Sequence, residues 1–127
     1  MLSLPPSVRV FIARDPTDMR KGFDGLEGLT REVIRGDPMS GHLFVFFNRG
    51  RDKVKVLVWD RTGYLLLYKR LESGRFALSS IDFREAQSVE VLASDLALLL
   101  EGIDLSGARR LKRYEDQRDS GISRLVH

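Results

Sequence analysis

Cysteine is absent from the 127 residues. That removes any disulfide framework, thiolate metal site or cysteine nucleophile, and makes a reducing cytoplasm the expected setting. Histidine is nearly as scarce. His42 and His127 are the only two, and neither stands at a diagnostic spacing from a serine or carboxylate partner, so a catalytic histidine is not expected. Long apolar runs are also missing. Stretches such as Leu43–Phe47 and Leu96–Leu100 reach five residues, against the roughly 20 needed to cross a bilayer, so no membrane association is expected. The opening MLSLPPSVRVF has no basic segment followed by a long apolar one, which argues against secretion. A Gly-rich lysine loop for phosphates is lacking too: Gly22, Gly25 and Gly28 do not follow a strand through a tight turn.

What is present describes one globular domain. The chain is 43% hydrophobic and 31% charged, and at this length folding removes about two thirds of the unfolded surface from water. A single domain is expected over residues 1–108. The remainder, 109–127, is basic and shows no sustained apolar period, so it reads as a mobile C-terminal tail.

Charge is unevenly spread. Between Arg49 and Arg75 stand eight basic residues (Arg49, Arg51, Lys53, Lys55, Arg61, Lys69, Arg70, Arg75) against three acids (Asp52, Asp60, Glu72), whereas the whole chain carries only +3. The following stretch, Phe76–Ala108, is acidic, with Arg84 facing Asp82, Glu85, Glu90, Asp95, Glu101 and Asp104.

Periodicity sets a coarse structure. Val8, Val10 and Ile12 alternate with Arg9 and Phe11 as in a strand. From Asp18, a candidate N-cap, Met19, Phe23, Leu26, Leu29 and Val33 recur at helical intervals, and the glycines in that helix suggest a close approach to a sheet. After Gly36-Asp37-Pro38, Leu43–Phe47 is apolar on both faces and suits a central strand. Lys53–Trp59 and Tyr64–Arg70, joined by Asp60-Arg61-Thr62-Gly63, continue it as an antiparallel meander, with Phe76–Leu78 a possible short edge. Ser88 stands as cap of a second helix with a buried stripe of Val89, Leu92, Leu96, Leu99 and Leu100, ended by Gly102. The class is α+β: an antiparallel meander of three to five strands, covered on one face by two helices.

These residues also carry a resemblance. RDPTDMRKGFDGL (Arg14–Leu26), HLFVF (His42–Phe46) with Asn48-Arg49, Trp59-Asp60 with Gly63, YKRLE (Tyr68–Glu72) with Gly74-Arg75-Phe76, and LLLEGID (Leu98–Asp104) together resemble the TnpB-type (Orf2-like) accessory protein of the sixty-six family of bacterial insertion sequences. The resemblance implies a role beside a separate DDE transposase in transposition. It brings no catalytic residues and no cofactor.

The candidate chemistry must come from the residues themselves. Metal-dependent strand cleavage needs carboxylates converging on divalent cations, and Asp15, Asp18, Asp24, Asp60 and Glu72 are the ones available. Asp60 sits in a turn where Asp serves backbone hydrogen bonds, and Glu72 stands among arginines, so no catalytic or metal site is assigned. The basic meander points instead to nucleic acid, since Arg and Lys displace counterions from phosphates and aromatics stack on unpaired bases. The candidate DNA-binding set is Arg49, Arg51, Lys53, Lys55, Trp59, Tyr68, Lys69, Arg70 and Arg75. Arg20-Lys21 reads equally as surface charge or as a phosphate site. Leu98 falls off the stripe of the second helix and is the candidate partner-binding residue, toward the transposase or a second copy. The expectation is a non-catalytic accessory factor binding DNA at insertion-sequence ends, the transposase, or both. The alternatives are a pure protein adaptor and, least favoured, a metal-dependent nuclease.

Overall fold

A computed structural model describes residues 7–103; the expected tail at 109–127 lies outside them. Five strands, β1 (Val10–Ala13), β2 (Leu43–Phe47), β3 (Lys53–Trp59), β4 (Tyr64–Arg70) and β5 (Ser88–Val91), form one sheet in the order β4-β3-β2-β1-β5. The expected meander is β2-β3-β4. β1 joins it parallel to β2, and β5 closes the other side antiparallel to β1. The parallel pair is possible because a helical segment crosses between its strands. That segment is α1 (Phe23–Leu29), which runs on into a π-helical turn at Thr30–Ile34. A second helix, α2, spans Ala93–Leu100.

Every residue of β2 is buried, and the reason is cover on both sides. Phe44 and Phe46 pack with Leu26, Ile34 and Leu57 on the α1 side. Leu43, Val45 and Phe47 pack with Val54, Val56, Phe76, Leu96 and Leu99 on the α2 side. Burying each such side chain contributes about 1.5–3 kcal/mol, so two core layers on one strand anchor the domain. The α+β class stands, but the helices lie one on each face rather than both on one. A strand apolar on both faces itself demands that arrangement.

Local chemistry shifts the element ends. Asp18 does not cap the helix; its carboxylate accepts the Arg20 N–H at 2.9 Å to close a turn, and the helix starts at Phe23. The glycine that permits close approach is Gly36, where a Cβ would stand 2.7 Å from Phe44 Cε1, whereas Gly22 and Gly28 face open space. Phe76–Leu78 forms no strand; Phe76 is buried and its N–H donates to the Arg51 carbonyl at 2.6 Å. Residues 88–91 are strand, not helix, and Leu92 is 63% exposed ahead of α2. The helix ends as expected at Gly102, left-handed at φ 83°, with Gly102 and Ile103 N–H donating to the Leu99 and Leu98 carbonyls at 2.9 Å each.

Candidate nucleic-acid interface

Backbone hydrogen bonds gather much of the positive charge at one end of the sheet. Lys53 on β3 lies opposite Arg70 on β4. Beyond them the Leu71 N–H donates to the Asp52 carbonyl at 2.8 Å, and the Phe76–Arg51 bond pulls Arg75 in. The β2–β3 turn is shaped by Asn48, whose amide oxygen accepts the N–H groups of Asp52 and Lys53 at 3.1 and 3.0 Å. Arg51 takes a left-handed conformation, φ 59°, to complete it. The Asn48 amide also donates to the Asp52 carboxylate at 2.7 Å and holds its pKa below the usual range. The turn's acid is thereby engaged by its own backbone and amide neighbours. Arg49, Arg51 and Arg75 are exposed and Lys53 half-buried, and among the described residues none of the four has an ion-pair partner.

The other members of the expected set are placed differently. Lys55 is not on an exposed face: it is 7% exposed, its ammonium donates to the Met19 and Lys21 carbonyls at 2.8 Å each, and it stands 4.6 Å from the centre of the Tyr68 ring. Lys69 reaches across to α2 and donates to the Leu100 carbonyl at 2.6 Å, serving a helix C-terminus whose carbonyls lack helical partners. Arg70 is exposed but pairs with Glu72 at 3.0 Å. Tyr68 is 52% exposed. Trp59 shares a face with Lys53 but lies six residues along the strand, roughly 20 Å away, packed edge-on against Tyr64 with ring centres 5.1 Å apart. Leu98 is partly buried against the α2-side core.

The periodicity of β3 and β4 does not reveal that the Arg14–Lys21 loop arrives at the same end of the sheet, through the Thr17 N–H to the Phe47 carbonyl at 2.8 Å. There Arg14 pairs with Asp15 and Arg20 with Asp18, whose pKa falls to about 2 chiefly through that hydrogen bond. Lys21 is exposed beside them.

Asp15, Asp18 and Glu72 pair with neighbouring arginines, and Asp24 stands in the first turn of α1. Asp60 Oδ1 accepts from the Thr62 N–H and hydroxyl and the Gly63 N–H at 3.2–3.3 Å, and the Thr62 N–H foremost lowers its pKa. No group of three or more metal-ligating side chains occurs among the described residues. A cleft of about 560 Å³ beside β5 contains two carboxylates, Asp82 and Glu90, paired with Arg84 at 3.5 Å and Arg9 at 2.7 Å. No helix of the described residues is long and apolar enough to cross a membrane.

Comparison with known proteins places the chain. A family model described as "IS66 Orf2 like protein" matches residues 8–110. Two proteins of Sinorhizobium fredii are similar: "Uncharacterized protein y4hO" is 40% identical over 104 residues, covering 82% of this chain and 88% of the relative. "Uncharacterized protein y4jC" is 29% identical over 110 residues, covering 87% and 92%. No solved structure matches.

Proposed function

Because the chain belongs to the IS66 Orf2-like family, whose role is accessory to transposition, we propose that it is a non-catalytic factor that holds DNA at the insertion-sequence ends, alone or together with the cognate transposase. The observation that carries this reading is the basic end of the sheet, where Arg49, Arg51, Lys53 and Arg75 stand without carboxylate partners among the described residues. Such a cluster attracts phosphate and releases counterions on binding. Arg70 and Lys21 flank it, and the Glu72 pairing of Arg70 is an exposed ion pair that a phosphate can displace at little cost. Contact is with the backbone rather than the bases, since Trp59 sits at the far end of β3 and Tyr68 lies over the Lys55 ammonium.

The test is binding of purified protein to terminal inverted-repeat DNA, with random duplex and single strand as controls, across a salt series. Three to five neutralised phosphates give a slope of log affinity on log salt of about −3 to −4.5, at roughly −0.9 for each phosphate. Absence of binding at low salt, or binding indifferent to salt, refutes DNA contact and leaves the adaptor reading. Metal-dependent nicking by the pure protein, lost on Asp60→Asn or Glu72→Gln, refutes the non-catalytic part.

A further inference from the structure

The outer strand of the sheet, β4, ends the order β4-β3-β2-β1-β5 with nothing beyond it among the described residues. Its hairpin geometry decides which groups are spare. The Asp60–Gly63 bond at 3.0 Å and the Leu71–Asp52 bond at 2.8 Å set an alternation in which Leu65, Leu67 and Lys69 bond to β3. Tyr64, Leu66, Tyr68 and Arg70 therefore turn their N–H and C=O groups outward.

Edge strands are normally blunted by proline, a bulge or an outward lysine. β4 contains no proline and no left-handed residue, and Lys69 is drawn away to the end of α2. Its surface is moreover apolar: Leu65 is 54% exposed, Leu67 39% and Tyr68 52%.

We infer that β4 pairs antiparallel with β4 of a second copy of this chain, about a two-fold axis at Leu67. The sequence of the strand, Tyr-Leu-Leu-Leu-Tyr-Lys-Arg, is complementary to itself in that register. Arg70 falls opposite Tyr64, Lys69 opposite Leu65, Tyr68 opposite Leu66, and Leu67 opposite its own counterpart. Every outward N–H and C=O then meets a partner, the exposed leucines line up on one face, and no like charges oppose each other. Parallel pairing in register would instead set Lys69 and Arg70 beside their copies. The strand, apolar from Tyr64 to Leu67 and basic at Lys69 and Arg70, therefore suits an antiparallel second copy, whose apolar half receives the basic half of the first. The inference does not depend on DNA contact.

Sedimentation and crosslinking test it. The wild-type chain is expected to be a dimer at micromolar concentration, and Leu67→Lys, which opposes two ammonium groups on the axis, a folded monomer by circular dichroism. Since the chain has no cysteine, Leu67→Cys introduces one thiol per copy. On the axis the two Cα atoms lie about 4.5 Å apart, within disulfide range. Diamide should link Leu67→Cys at least about tenfold faster than Leu65→Cys, whose thiol faces Lys69 and not its own copy. A monomeric wild type overturns the inference, including the case in which the edge receives a strand of the transposase. Equal crosslinking of the two variants overturns the register.

Discussion

Replacing Lys55 by methionine separates a structural lysine from a phosphate-binding one. Methionine keeps an unbranched stem of similar length but deletes the ammonium that holds the Met19 and Lys21 carbonyls at 2.8 Å each. A hydrogen bond to a charged group contributes about 1.5–3 kcal/mol net, and the cation–π interaction with Tyr68 adds about 0.5–1. Against this, the variant no longer buries a charge, which offsets part of the loss. The balance is a destabilisation of about 2–4 kcal/mol, because the two carbonyls stay where the loop places them and methionine offers no donor. In urea unfolding, with m near 1–3 kcal/mol per molar for a domain of this size, the midpoint should fall by about 1 M or more at unchanged m. A change under about 0.5 kcal/mol, the usual result at an exposed position, would refute the argument and return Lys55 to the binding surface.

Charge reversal at Arg49, Arg51 and Arg75 together should leave the melting curve nearly unmoved while making the salt slope of DNA binding shallower by about 0.9 for each phosphate no longer neutralised; an unchanged slope places the interface elsewhere. Two glycine substitutions should move stability in opposite directions in chemical denaturation. Gly36→Ala drives a methyl into the buried Phe44 ring and costs about 1–3 kcal/mol, whereas Gly28→Ala fills open space within α1 and gains about 0.5–1 kcal/mol. Asp18, Asp60 and Glu90 have pKa values lowered by their hydrogen bonds to Arg20, Thr62 and Arg9. Their contribution is therefore complete above the unfolded values near 4 and is lost as pH falls through the lower folded ones. Thermal melts should be flat from neutrality to about pH 5 and decline from about pH 4 towards 2.

The elements legible in the sequence were those whose determinants lie within a few residues of them. Lys53–Trp59 and Tyr64–Arg70 fall where alternation and the Asp60–Gly63 turn put them, and Gly102 ends α2 as its position suggests. The misreadings come from partners remote in the chain. Val89 fits a helical stripe with Leu92 and Leu96 as well as a strand with Val91, and the choice is made by β1, whose free side residues 88–91 complete, with Arg9 and Glu90 clasped across the pair at 2.7 and 2.9 Å. Alternation correctly puts Lys55 on a face with Leu57 and Trp59. What covers it is a loop from more than thirty residues earlier, which no period within β3 encodes. The basic end was readable as composition, but its dependence on Asn48 and on the Phe76–Arg51 bond was not.

The position of β1 has a consequence for how the chain acquires its structure. β1 and its outer neighbour β5 flank the whole meander in sequence, and Ala13 waits for Ser88 before its outer side is satisfied. The hairpins of β2, β3 and β4 close over short loops and can form early, while the β1–β5 pairing pays the entropy of a long closure and comes last. During synthesis, then, β1 remains a bare edge until β5 and α2 have left the ribosome. In the finished protein the same pair forms the seam of least local support. Amide hydrogens of β5 should exchange ahead of those of β2 and β3, and the first stretch to come loose under mild stress would be the one that carries α2.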